Sequence, residues 1–167
     1  VEVMHISQLL ERLVLEKKLN FKKEIPLSVT YHDPCHLGRM SEPFTADWIH
    51  ESKLKRPMQM KRQGWFGIYD PPRKVLTAIP GVELTEMERI REWSWCCGAG
   101  GGVMEAYPEF AEDTAVERIG EAKATGAEAL VTACPWCLRK FRDTVAQTGD
   151  TIKIYDLIDL ALISAEA

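Results

Sequence analysis

Apolar Ile6, Leu9, Leu10, Leu13 and Leu15 recur among charged residues at near-helical spacing, so the stretch from Val3 to Leu19 predicts an amphipathic helix, closed by Lys22 to Pro26. LSVTYHD, from Leu27 to Asp33, is rich in β-branched and aromatic residues and stops at Pro34. It predicts a strand that delivers Cys35 to a loop. From Met40 to Gly67 the periodicity is weak and is broken by Pro43, Pro57, Gly64 and Gly67. This reads as a long insert, at about residues 40–66, with room for one short helix; irregular connections of that length are usually functional or disordered. DPPRKVLTAIPG, from Asp70 to Gly81, has prolines in its first turn and a Pro-Gly stop, the signature of a capped helix. A strand from Val82 to Met87 follows. A helix starts near Pro108 and runs to about Thr125, where Gly126 ends it, and EALVTA (Glu128 to Ala133) predicts a buried strand. A short strand near Ile152 to Ile154 and a helix from Leu157 to Ser164 complete the series.

Alternating helices and strands predict an α/β fold: a mainly parallel, twisted sheet with flanking helices. In such sheets the loops at the carboxyl ends of the strands gather on one edge. Cys35, the pair Cys96 and Cys97, and Cys134 with Cys137 would all stand on that edge.

Composition bounds this picture. The chain has 167 residues, 46% of them hydrophobic, enough for one domain with a single sizeable core. A formal net charge of −4 argues against a nucleic-acid partner, which a basic stripe would attract. No apolar run approaches the roughly 18 residues that cross a bilayer, and no signal-peptide pattern is present. The segment is therefore expected to be soluble, without direct membrane insertion. Because it opens at Val1 and goes straight into a helical pattern, it is read as the C-terminal part of a longer chain. Five cysteines are an odd set, clustered in spacing, which suits metal or redox chemistry in a reducing compartment better than structural disulfides.

The cysteine spacing carries the chemistry. In C-P-W-C (Cys134 to Cys137), at a predicted helix start, two sulfurs can face one centre, and the first-turn amides favour thiolate over thiol. Adjacent Cys96 and Cys97 would point to opposite faces of a regular strand, so the backbone must turn there. Gly98, Gly100, Gly101 and Gly102 supply positive φ and exposed amides for that turn, and such amides can hydrogen-bond to cluster sulfur. A phosphate loop fits poorly, because Val103 stands where the third small residue should be. A metal-free C-x-x-C thiol oxidoreductase leaves Cys96 and Cys97 without a role. Structural zinc and an iron–sulfur centre fit the spacing about equally. The fifth thiolate exceeds what tetrahedral zinc needs, which favours iron and keeps zinc as the alternative.

Three segments carry a resemblance. TYHDPCHLGR (Thr30 to Arg39), WCCGAGGG (Trp95 to Gly102) and TACPWCLRKF (Thr132 to Phe141) resemble the cysteine-rich CCG domain of heterodisulfide reductase catalytic subunits and their relatives. GIYDPPRKVLTAIPGVELTEMER (Gly67 to Arg89) resembles the family's linking segment, and the likeness spans Leu27 to Ala146. The resemblance implies a non-cubane [4Fe-4S] cluster ligated by Cys35, Cys96, Cys97, Cys134 and Cys137, with Gly98, Gly100 and Gly101 around it. It implies a site that passes single electrons to a disulfide. Some relatives bind zinc instead. The insert opening with MSEPF is similar to that of DsrK-type and HdrD-like subunits of membrane complexes associated with sulfite reduction.

His32 and His36 flank the first cysteine, where either could protonate a leaving thiolate or tune a cluster, although loop packing is the plainer reading. Asp33 before Pro34 reads as a turn former, and Arg39 as a surface ion-pair partner that could also steer an anion. In the insert, Lys53, Lys55, Arg56, Lys61 and Arg62 lie beside Trp48, Met58, Met60 and Trp65, a composition suited to protein docking.

The functional expectation is a catalytic or electron-delivering domain of a heterodisulfide-reductase-like oxidoreductase acting on a disulfide or polysulfide-type bond. Its partners would be other iron–sulfur and membrane subunits and a thiol or disulfide substrate. It would work in the cytoplasm at the inner face of a membrane. The competing expectation is a zinc-stabilised protein-binding module without redox activity.

Overall fold

The computed structural model describes residues 3–42, 45–46, 60–61 and 64–165. Helix α1 covers Ile6–Leu15, and its start is a capping box in which His5 accepts from the Ser7 amide and Gln8 reaches back to the His5 amide. It is shorter than the predicted Val3 to Leu19. His5 sets its start, and Lys17 adopts a left-handed φ of 56° just beyond its end.

Strand β1, Leu27–His32, is almost wholly buried. Strands β2 (Thr45–Ala46) and β3 (Met60–Lys61) form a small antiparallel pair within the insert. The short helix expected there falls outside the described residues. Helix α2 covers Asp70–Ala78, with Pro71 and Pro72 in the first turn, and stops before the predicted Gly81. Strand β4, Val82–Leu84, is shorter than the predicted run to Met87. Thr85 still bonds to the Val29 carbonyl at 2.9 Å, but Glu86 leaves the sheet to pair with Arg73.

Helices α3 (Val103–Ala106) and α4 (Pro108–Ala124) follow the glycine run. Then come β5 (Ala129–Thr132), α5 (Pro135–Thr148), β6 (Lys153–Asp156) and α6 (Leu157–Ala165).

The four main strands pair in the order β4-β1-β5-β6, all parallel. Side chains alternate across this sheet. Val29, Tyr31, Ala129 and Val131 pack with Val75 and Leu76 of α2 and Leu157 and Leu160 of α6. Leu130 and Ile154 face the other way, onto Ala115 and Ile119 of α4 and Phe141 of α5. The result is an α/β fold with helices on both faces. Register places His32 opposite Thr132, and Thr132 opposite Asp156, so β1, β5 and β6 end on one line. The loops bearing Cys35 and Cys134 leave the sheet from that line.

Candidate metal centre

Each cysteine reaches the carboxyl edge by a local device. Cys35 opens the turn after β1, behind Pro34. Cys134 is the extended N-cap of α5, Pro135 follows in the first helical turn, and this brings Cys137 round beneath it. Cys96 and Cys97 arrive after a 3₁₀ turn at Arg91–Trp93. The chain then reverses at Gly98, whose φ is +80°. A Cβ at Gly98 would stand 2.5 Å from the Ala111 carbonyl oxygen, so only glycine lets this turn seat against α4. Gly101 also has positive φ, whereas Gly100 does not: it lies in the short 3₁₀ turn Gly100–Gly102, so the positive φ expected of it is not needed.

All five cysteines are free of disulfides; Cys97 and Cys137 are buried and the others half-buried. Their sulfurs cluster at this edge, each near enough to the next to shift its acidity. Cys35 interacts with Cys96, Cys96 with Cys97, Cys97 with Cys137, and Cys137 with Cys134. Cys96 and Cys134 are the acidic members. Cys96 is held far below the ordinary thiol range by the thiols of Cys35 and Cys97, with the Gly98 amide at 3.3 Å adding to this. Cys134 falls to about 6 because the neighbouring Cys137 side chain lowers it, against the cost of burial, and the amides of Cys137 and Trp136 at the start of α5 help. Cys35 is raised by the neighbouring sulfur of Cys96 and by burial. Cys137 is raised by the neighbouring sulfurs of Cys134 and Cys97 and by burial. Cys137 pulls Cys97 down, but Cys96 and burial outweigh it and raise Cys97 to about 12.

Beside these sulfurs opens a cleft of about 410 Å³. Cys35, Cys97, Cys134 and Cys137 border it, together with Gly100, Gly101 and Gly102, His36, Glu105 and Trp136. Its chemistry is soft-donor chemistry: several cysteine sulfurs converging on one space, suited to zinc or iron rather than to hard cations.

The two flanking histidines differ. His36 is exposed, with Nδ1 3.5 Å from the Cys35 sulfur. His32 ends β1, inside the predicted strand, and is buried in a T-shaped contact with Phe141. Its Nδ1 accepts from Arg118 Nε at 3.1 Å. Burial and the adjoining guanidinium hold its pKa well below the ordinary range. With Nδ1 engaged by Arg118, Nε2 is left as the ring nitrogen without a partner among the described residues.

Arg118 was not singled out in the sequence. It is fully buried in α4 and donates to the Glu121 carboxylate (2.6 Å), Ser94 Oγ (3.1 Å) and the Arg89 carbonyl (3.0 Å) as well as to His32. The available signal was an Arg–Glu pair, i and i+3, on the apolar stripe of Ala115, Ile119 and Ala122.

Asp33 does more than form a turn. Buried itself, it accepts both terminal nitrogens of Arg73, at 2.7 and 2.8 Å, and the Arg91 amide at 2.7 Å. Arg39 donates to the Glu92 carbonyl at 3.0 Å and forms no ion pair among the described residues, and Ser94 Oγ donates to the Asp33 carbonyl. These bonds tie the Cys35 loop to the segment preceding Cys96. Of the expected docking residues in the insert, Trp65 is exposed. Trp48, Lys53, Lys55, Arg56, Met58 and Arg62 lie outside the described residues, as do the side chains of Met60 and Lys61.

Residues 29–142 match the family model of the cysteine-rich domain CCG, a span that holds all five cysteines. The chain belongs to the CCG cysteine-rich domain family. One component of the dihydromethanophenazine:CoB–CoM heterodisulfide reductase of Methanosarcina acetivorans is 38% identical to this CCG domain over 159 residues, which cover 95% of the chain and 33% of that relative. The probable iron-sulfur-binding oxidoreductase FadF of Bacillus subtilis is 35% identical over 161 residues, covering 95% of the chain and 19% of FadF. The EtfAB:quinone oxidoreductase of Syntrophomonas wolfei is 32% identical over 168 residues, covering 95% and 20%. The CCG domain thus spans about a third of the reductase component and about a fifth of the other two. No helix among its described residues is long and apolar enough to cross a membrane.

Proposed function

We propose that this CCG domain holds an iron–sulfur cluster on Cys35, Cys96, Cys97, Cys134 and Cys137 and serves as the electron-delivering domain of a heterodisulfide-reductase-like oxidoreductase. The observation that carries the proposal is the convergence of five cysteines, each influencing the next, beside one cleft. The donor set fits: five thiols exceed the four that tetrahedral zinc takes, and they suit a multi-iron group of the non-cubane [4Fe-4S] kind. When bound, such a group supplies electrons one at a time, and cleavage of a disulfide consumes two. Two relatives, one named as part of a heterodisulfide reductase and one as an iron-sulfur-binding oxidoreductase, support this reading.

The chain's own residues prepare the site. Cys96 and Cys134 already favour the thiolate form that metal binding requires. The Gly98 amide donates to the Cys96 sulfur, easing its negative charge. The glycine run leaves one side of the cleft without side chains, and Trp136 forms an apolar wall beside it. A disulfide or polysulfide-type bond could approach the cluster through that opening, with exposed His36 the imidazole placed to exchange protons with water. We place the domain as one module of a larger redox assembly, with other iron–sulfur and membrane subunits as partners, at the cytoplasmic face of a membrane.

The test is anaerobic purification of the full-length protein, followed by iron and acid-labile sulfide analysis and EPR of the oxidised form. Iron and sulfide near four of each, with a paramagnetic oxidised cluster, are expected on this reading. Stoichiometric zinc without iron would sink it and leave the zinc-stabilised binding module.

A further inference from the structure

His32 faces the cysteine sulfurs from the sheet and is held from behind. A guanidinium carries donors only, so the imidazole nitrogen meeting Arg118 Nε must be the one with the lone pair. Arg118 cannot readily swing away, because Glu121, Ser94 and the Arg89 carbonyl hold its other nitrogens. The ring proton therefore sits on Nε2. That nitrogen is buried and has no hydrogen-bond partner among the described residues. A ring nitrogen of His32 and the sulfurs of Cys97 and Cys137 all lie within 4.8 Å of one another. With Nδ1 engaged by Arg118, the nitrogen available to those sulfurs is Nε2.

We infer that Arg118 locks His32 as its Nε2–H tautomer, turned toward the Cys97–Cys137 sulfurs, and that this N–H would donate to sulfur of the cluster held there and tune it. The inference rests on the iron–sulfur reading above. It makes His32 neither a sixth ligand nor an acid. A ligating Nε2 would have to shed its proton to Nδ1, leaving two donors face to face in a buried site. An N–H donated to cluster sulfur withdraws electron density from the thiolate, favours the reduced state and raises the potential. His32 is thus a tuning residue, and Arg118 acts through it as a positioning residue.

The experiment uses the full-length, anaerobically purified protein with ¹⁵N-labelled histidine, carrying His36→Gln to remove the exposed imidazole beside Cys35. Pulsed EPR should record a weak ¹⁵N coupling and a coupling to a proton that exchanges in D₂O. In His32→Gln the ¹⁵N coupling should vanish, while the exchangeable proton and most of the potential persist, because the amide still offers an N–H. In His32→Phe both couplings should vanish, and the midpoint potential should move to more negative values at unchanged iron content. A strong, directly bonded ¹⁵N coupling would overturn the inference in favour of ligation. Absence of any ¹⁵N coupling, or an unshifted potential in an iron-replete His32→Phe protein, would overturn it outright. Should His32→Phe fail to fold or to hold iron, the two spectra with and without His32→Gln decide by themselves. Absence of iron from the protein altogether would strike the iron–sulfur reading, an outcome distinct from an iron-replete protein with no histidine coupling.

Discussion

Gly98 and Ala111 meet backbone to backbone, and a methyl group on Gly98 would stand 2.5 Å from the Ala111 carbonyl oxygen. The turn that reverses the chain after Cys96 and Cys97 is thereby pressed onto α4. Gly98→Ala should cost about 2–4 kcal/mol, combining the strain of a left-handed φ with overpacking against fixed backbone. Gly101→Ala should cost about 1 kcal/mol, since its φ is positive but nothing lies within 4 Å. Gly100→Ala should stay within about 0.5 kcal/mol, because its nearest neighbour is the His36 Cε1 at 3.8 Å. Urea denaturation of the three variants gives the order; Gly98→Ala as mild as Gly100→Ala would contradict this packing.

The buried pair of Asp33 and Arg73 braces the Cys35 loop against α2. Asp33→Asn removes the carboxylate that accepts both terminal guanidinium nitrogens and leaves Arg73 only partly paired through Glu86. Breaking a buried ion pair by removing one partner costs about 3–5 kcal/mol. A loss of that size is expected in denaturant unfolding, with iron content falling as the loop loosens. A loss below about 1 kcal/mol would mean that Glu86 alone satisfies the arginine.

Asp156 should carry a measurable pH signature. Burial raises its pKa, against the Ile158 amide that donates to it at 2.8 Å; nearby Asp159 raises it further, while Arg142 and His5 lower it. A folded pKa above the unfolded one means that the protonated form favours folding. That contribution is whole below the unfolded pKa, near 3.9, and is lost as pH rises through the folded value. Asp156→Asn keeps an acceptor for the Ile158 amide and carries no charge. The variant should therefore be more stable than the parent at pH 7, with the advantage fading as pH falls toward about 4. Denaturation midpoints across that range test this, and an advantage independent of pH would refute it.

Single Cys→Ser substitutions should reveal the order of the cysteine series. Cys97 lies inside the series and is buried, influenced by Cys96 and by Cys137, so Cys97→Ser should abolish iron loading. Cys35 stands at one end and is half-buried, so Cys35→Ser should retain part of the iron with an altered EPR signal. Iron analysis beside far-ultraviolet circular dichroism separates lost loading from lost fold. Equal, complete iron retention in both variants would contradict the assignment of these residues as ligands.

Much of this was legible along the chain. Strand β1 announced itself by its β-branched and aromatic run before Pro34, and α5 by Cys134 and Pro135 at its start. Element ends were less legible. Where α1 begins depends on a histidine cap that sequence preference does not favour. Strand β4 is cut short because Glu86 is drawn to Arg73, a partner supplied by another element. The positive φ expected at Gly100 was misplaced because composition does not say which glycines of a run make the turn.

Hydrophobic periodicity and turn chemistry are local, so the sequence by itself determined the alternation of helices and strands. It also determined that the cysteine-bearing loops leave from the carboxyl ends of strands. Only the tertiary structure decided the partners: Arg118 behind His32, Arg73 on Asp33, and which cysteines influence one another. Those contacts join residues far apart in the chain. Burial sets their strength and sign, and burial exists only once the helices have closed over both faces of the sheet.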